Sequence, residues 1–222
     1  MRNEPPRQQP RRTFRPPNRI SLNPLIVLIG INVVFYIATM IFPQQRFPWG
    51  DYYQIATDKV TYYLGMIPYY ITERPWTVVT SMFIHASIWH LLFNMFALFV
   101  FGRLLRKFIG DNTLLLVYFV GGIVGNLLFL ALNLNDKILV VGASGAIYAI
   151  AGALVVLVPK LKIVLYGIIP MPLWVFVLVF MVILSFLGPQ SAAIAWEAHI
   201  GGLATGLVFG LFFRRRLKFM IY

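Results

Sequence analysis

Ser144 lies in Gly142-Ala143-Ser144-Gly145, the one Gly-x-Ser-Gly sequence in the chain. A serine hydroxyl becomes an effective nucleophile when a neighbouring base removes its proton, and the candidate base is His199. The other two histidines are His85 and His90, and Asn94 follows His90 by four residues, on the same face of a helix. Together these types suit acyl transfer: a hydroxyl nucleophile, an imidazole base, and side-chain donors for the oxygen that becomes negative in a tetrahedral intermediate. A serine opening a helix adds free backbone N–H groups and the positive end of the helix dipole. Gly142 and Gly145 permit a tight turn there and the close approach of a substrate backbone. Ala146 distinguishes the sequence from the Gly-x-Ser-x-Gly elbow of soluble hydrolases. Taken alone, a four-residue motif of small residues is a weak signal, and in most membrane helices it means packing. Tyr148, one turn below Ser144, reads equally as a support under the imidazole and as an ordinary packing residue.

Two other readings of the histidines stand beside this one. They could act as interhelical hydrogen-bond glue, a reading as good as a functional one for His85 alone. They could also bind zinc, with Glu197 beside His199 as a further ligand. Against zinc, His-Glu-x-x-His is absent, and the five-residue spacing of His85 and His90 turns their rings onto diverging helical faces. Asp111 and Asp136 read as solvated loop charges and Glu197 as an interface marker. No acid is placed as a third member, so the expectation is a Ser/His dyad with no metal and no cofactor.

The elements that must bring these residues together are set by composition. Hydrophobic residues make up 59% of the 222 and charged residues 12%, too apolar a balance for a domain that covers itself with polar surface. The solvent is lipid, and the apolar residues fall in blocks near the 20 or so that a helix needs to cross a hydrocarbon core. Six spans are expected, at about 22–42, 82–101, 113–132, 142–158, 167–187 and 197–213, forming an all-α membrane domain over 21–213. With the N-terminus inside, the cytoplasmic segments are the tail, the loops after spans two and four, and the basic C-terminus 214–222. Of the 19 basic residues, only Arg46, Lys59, Arg74 and Lys137 fall elsewhere, which supports both the even span count and the orientation. Topology thus explains the net charge of +12 without nucleic acid. Spans two, four and six then run in one direction, so His85, His90, Asn94, Ser144 and His199 share one depth near the outer face.

Residues 1–20 form a Pro- and Arg-rich tail rather than a signal peptide; they are expected to be disordered and cytoplasmic, leaving the first span in the mature protein. The outer loop, about 43–81, carries Trp49, Tyr52, Tyr53, Tyr62, Tyr63, Tyr69, Tyr70 and Trp76, ring types that settle at the membrane interface. Cysteine is absent, which excludes disulfides and thiol catalysis. Small residues recur at helical spacing: Gly121 and Gly125; Gly145, Ala149 and Ala153; Gly202, Gly206 and Gly210. Such ridges let membrane helices approach closely.

Three motifs, in order, resemble those of the rhomboid intramembrane serine proteases: His85-x4-His90-Leu91-Leu92-Phe93-Asn94, Gly142-Ala143-Ser144-Gly145-Ala146-Ile147-Tyr148, and Ala198-His199-Ile200-Gly201-Gly202. The resemblance covers about residues 76–210. It implies a six-helix bundle in which Ser144 is the nucleophile, His199 the general base, His90 and Asn94 the oxyanion donors, and Tyr148 the ring packed on the catalytic histidine. It further implies transmembrane protein substrates cut near their outer ends in a cell membrane, and a mobile gate made of span five and residues 188–196. Many members carry Trp-Arg in the outer loop, whereas here Trp76 is followed by Thr77. A non-catalytic, client-binding relative is the alternative; such relatives usually lack the serine or the histidine. A transporter is disfavoured because the polar residues cluster at one depth instead of lining a path.

Overall fold

The computed structural model describes residues 23–49, 53–165, 168–183 and 195–221. The tail expected over 1–20 and most of the expected gate loop lie outside these residues. Helix α1 (Pro24–Ile41) begins where Asn23 accepts a hydrogen bond from the Leu25 N–H, with Pro24 in the first turn. It buries only Leu25, Leu28 and Asn32, one face at helical spacing, and leaves most other side chains to the surroundings.

The outer loop contains structure that apolar patterning did not reveal. Strands β1 (Gln45–Trp49) and β2 (Tyr53–Thr57) pair antiparallel, a small hairpin added to a mostly helical membrane fold. Helix α2 (Lys59–Leu64) follows, opened by Asp58, whose carboxylate accepts from the Thr61 N–H at 2.8 Å. Tyr62 stacks on Phe47 at 4.2 Å and is buried, while Tyr63, Tyr69 and Trp76 are exposed, as suits an interface. Tyr52 lies outside the described residues. Beyond a short helix α3 (Thr77–Thr80) and a 3₁₀ turn at Ser81–Phe83, the backbone extends through Ile84.

The second span starts later than its apolar run suggests. Ser87 caps helix α4 (Ile88–Leu132) by accepting from the His90 N–H, which leaves His85 before the helix rather than in its first turn. The capping hydroxyl, rather than hydrophobicity, sets the boundary. Helix α4 carries the second and third apolar blocks, divided at Gly110, whose φ of 76° requires a residue without Cβ. The basic loop expected between those blocks is helical up to that glycine. Asp111 pairs with Arg106 there instead of standing in solvent alone.

Helix α5 (Ser144–Leu157) is the centre of the molecule, with every residue from Gly145 to Leu154 buried. Its neighbours are α4 and α7 (Trp196–Ile221), which close on it from both sides. The small ridges interlock. A Cβ at Gly202 would strike the Gly145 carbonyl, one at Gly206 the Ala149 backbone, and one at Gly121 the Ala149 side chain. Helix α7 continues beyond the expected end of the sixth block into the basic C-terminal segment.

Between α5 and the fifth block, strands β3 (Lys162–Leu165) and β4 (Ile169–Pro172) form a second hairpin. Helix α6 (Leu173–Phe176) then widens into π-helix over Val177–Ile183. Among the described residues, three helices are long and apolar enough to cross a membrane: α1, α4 and the Trp196–Arg215 part of α7.

Candidate active site

Ser144 is the first residue of α5, and no side chain caps that helix end. The turn into it depends on Gly142, held at φ 125°. A Cβ there would also lie 2.8–2.9 Å from the His90 imidazole, so the position excludes other residues twice over. The Gly142 N–H donates to the Ser81 carbonyl at 2.9 Å, fixing the turn to the segment before α4.

His199 occupies the first turn of α7, and its Nε2 lies 2.7 Å from Ser144 Oγ. The ridge contact of Gly202 with Gly145 brings the two backbones this close. The imidazole stacks on Tyr148 at 4.2 Å between centroids and 12° between planes. The Tyr148 hydroxyl donates to the Met181 carbonyl, in the π-helical stretch, where regular i→i−4 bonding is interrupted. The stacking fixes the ring plane, and Nε2 meets the serine hydroxyl in a geometry that allows proton transfer.

His90 lies beside this pair. Its Nδ1 accepts from the Ala86 N–H at 3.4 Å, so in the neutral ring the proton resides on Nε2, the nitrogen turned toward the Gly142 turn. Asn94 is buried, and its amide donates to the His90 carbonyl at 2.8 Å. One N–H of that amide is therefore engaged within α4, leaving one for any other acceptor. His85 is 2% exposed and packs edge-on against His90 at 5.0 Å. The structure thus brings Ser144, His199, Tyr148, Gly142 and His90 together. It places Gly145 against the start of α7 and His85 edge-on to His90.

The acids are arranged differently from expectation. Glu197, read as an interface marker, is buried and accepts from the Asn133 side chain at 3.2 Å. Among the described residues no three His, Asp or Glu side chains converge as metal ligands do.

Supporting residues that pattern reading missed include Ser81 and Asn126. The Asn126 amide donates to the Val78 carbonyl at 2.8 Å and to Ser81 Oγ at 3.0 Å, holding the segment that receives the Gly142 N–H. A polar residue inside an apolar block was the available signal.

The family model of the Rhomboid domain matches residues 72–216. The chain is 33% identical to YdcA of Bacillus subtilis (strain 168) over 133 residues, 60% of this chain and 64% of that one. It is 29% identical to the mitochondrial Rhomboid protein 1 of Saccharomyces cerevisiae over 67% of this chain and 44% of that one. With Rhomboid protease AarA of Providencia stuartii it shares 27% identity over 213 residues, 86% of this chain and 72% of that one. The chain thus spans less than two-thirds of the length of the first two. The matched region contains all three motifs and every residue of the site described above, and the chain belongs to the rhomboid family of multi-pass membrane proteins.

Proposed function

We propose that the protein is an intramembrane serine endopeptidase that cuts peptide bonds in or near transmembrane segments of other membrane proteins. The observation that carries this reading is the 2.7 Å separation of Ser144 Oγ and His199 Nε2, contributed by different helices at the mouth of α5. Ser144 Oγ attacks the scissile carbonyl carbon while His199 Nε2 takes the hydroxyl proton. The carbonyl oxygen becomes negative and is met by the free N–H groups at the start of α5, by His90 Nε2–H, and by the remaining Asn94 N–H. His199 then gives its proton to the departing amine, and the same imidazole activates water to hydrolyse the acyl-enzyme. Tyr148, stacked on the ring, orients it, and the reading is that Ser144 and His199 work as a dyad.

The setting in this reading is a six-span bundle in a cell membrane with both termini cytoplasmic. The break at Gly110 supports dividing α4 into two spans, and the buried α5 supplies a further one. Substrates are single transmembrane segments that unwind near their outer ends and carry small residues at the cut, as the family resemblance implies. The presence of both Ser144 and His199 within bonding distance favours catalysis over non-catalytic client binding. The direct test is cleavage of a single-span protein in liposomes by wild type, Ser144→Ala and His199→Ala. Wild type is expected to cut and both variants to fall to background; cleavage surviving Ser144→Ala would refute the serine mechanism.

A further inference from the structure

The outer loop is fastened at one point by an unusual concentration of donors. The last four carbonyls of α2 have no partner within the helix. All four are satisfied, by the Gly65 N–H on Thr61 at 2.9 Å, Arg74 Nη1 on Tyr62 at 2.9 Å, Trp76 Nε1 on Tyr63 at 3.0 Å, and Thr80 Oγ1 on Leu64 at 2.7 Å. Arg74 does most. Its Nη2 also donates to the Tyr62 hydroxyl at 3.0 Å, and its guanidinium carbon lies 4.2, 4.6 and 5.3 Å from the ring centres of Tyr62, Tyr70 and Tyr63. The partners are carbonyls, a phenol and ring faces, a set that suits a planar fork better than an ammonium.

This fastening continues to the site by a short covalent and hydrogen-bonded path. Met66, two residues beyond α2, exchanges both backbone hydrogen bonds with Val140, at 3.0 and 2.7 Å. Two residues after Val140 is Gly142, whose N–H is held by the Ser81 carbonyl, and Ser81 directly follows Thr80 of the clamp. The ring closes from Arg74 through α2, Met66, Val140, Gly142 and Ser81 back to Thr80.

We infer that Arg74 is a positioning residue for the reaction at Ser144: by locking the end of α2 it fixes both strands of backbone that hold the Gly142 turn, and with it the oxyanion pocket. It touches no reacting atom. The inference rests on the protease reading above.

The test compares wild type, Arg74→Lys and Arg74→Ala in detergent, each well below its own thermal midpoint. Two quantities are read: kcat and KM on a fluorogenic single-span peptide, and the rate at which a small fluorophosphonate labels Ser144. Arg74→Ala is expected to lower kcat and the labelling rate together, by about 10- to 100-fold, with KM within twofold, because small misplacements of reacting groups carry penalties of that order. Arg74→Lys, which keeps the charge but loses the fork, is expected to fall between. Rates within twofold of wild type for Arg74→Ala, with only a lower thermal midpoint, would overturn the inference, as would a loss confined to KM. Should Arg74→Ala not fold, unchanged kcat and labelling in Arg74→Lys would overturn it equally. A wild type that neither cleaves nor labels would instead sink the protease reading, and this inference with it.

Discussion

At the scale of single residues, the site is held by steric exclusion as much as by attraction. Gly142 combines a positive φ with the imidazole of His90 where a Cβ would sit, so Gly142→Ala is expected to displace either the turn or the ring. We expect kcat to fall by about 100-fold or more while the protein still extracts as a folded monodisperse species; activity within a few-fold of wild type would contradict the stated role of the turn. His90 and Asn94 separate under the same logic. In the proposed mechanism His90 is an oxyanion donor, and removing one such donor costs on the order of 100- to 1,000-fold in kcat, so His90→Ala is expected in that range with KM little changed. Asn94 has already given one N–H to the His90 carbonyl, so Asn94→Ala is expected to cost less than His90→Ala in the same steady-state assay. The approach of His199 to Ser144 was legible in the sequence because motif and depth converge on those two residues, whereas Tyr148 reads there equally as support and as packing. Which acceptor the Asn94 amide chooses was not, since an i−4 carbonyl and an incoming substrate oxygen leave the same trace in sequence.

At the scale of elements, the three small-residue ridges decide how closely the helices meet. Gly202 and Gly206 bring α7 onto the α5 backbone, and Gly121 brings α4 onto Ala149. A larger side chain at Gly206 has nowhere to go but into the Ala149 backbone, so Gly206→Val is expected to destabilise the bundle by about 1–3 kcal/mol or more. Thermal unfolding in detergent would register this as a lowered midpoint, and an unchanged midpoint would show that the two backbones are not so close. The ridges could be read from spacing alone. Element boundaries could not: the Ser87 cap outranks the apolar residues before it, and α4 persists through Arg103, Arg106 and Lys107 until Gly110 breaks it. The hairpins were hidden because short strands of mixed polarity carry no helical period and resemble loop. The π-helical stretch after α6 has no sequence signature comparable to a cap or a proline.

At the scale of the whole molecule, the distribution of basic residues predicts that both termini share a compartment opposite the outer loop. The chain contains no cysteine, so single cysteines can report sidedness without background. In intact cells a membrane-impermeant maleimide is expected to label Lys59→Cys but neither Gln8→Cys nor Lys218→Cys until the membrane is opened; early labelling of either terminal position would overturn the orientation. The bundle accounts for how the proposed hydrolysis could take place at membrane depth. Helix α5 is enclosed by apolar neighbours along its length, while its N-terminal mouth gathers the imidazoles and backbone donors. The groups of the proposed site thus gather at one end of a helix that is buried from Gly145 to Leu154.

The most direct measurement is covalent modification of the purified protein by a fluorophosphonate, with the adduct located by mass spectrometry. A single adduct on Ser144 is expected in wild type, reduced by at least about 100-fold in His199→Ala because the hydroxyl then lacks its base. An adduct on any other residue, or labelling of Ser144 at an undiminished rate without His199, would contradict a nucleophile activated across the gap between α5 and α7.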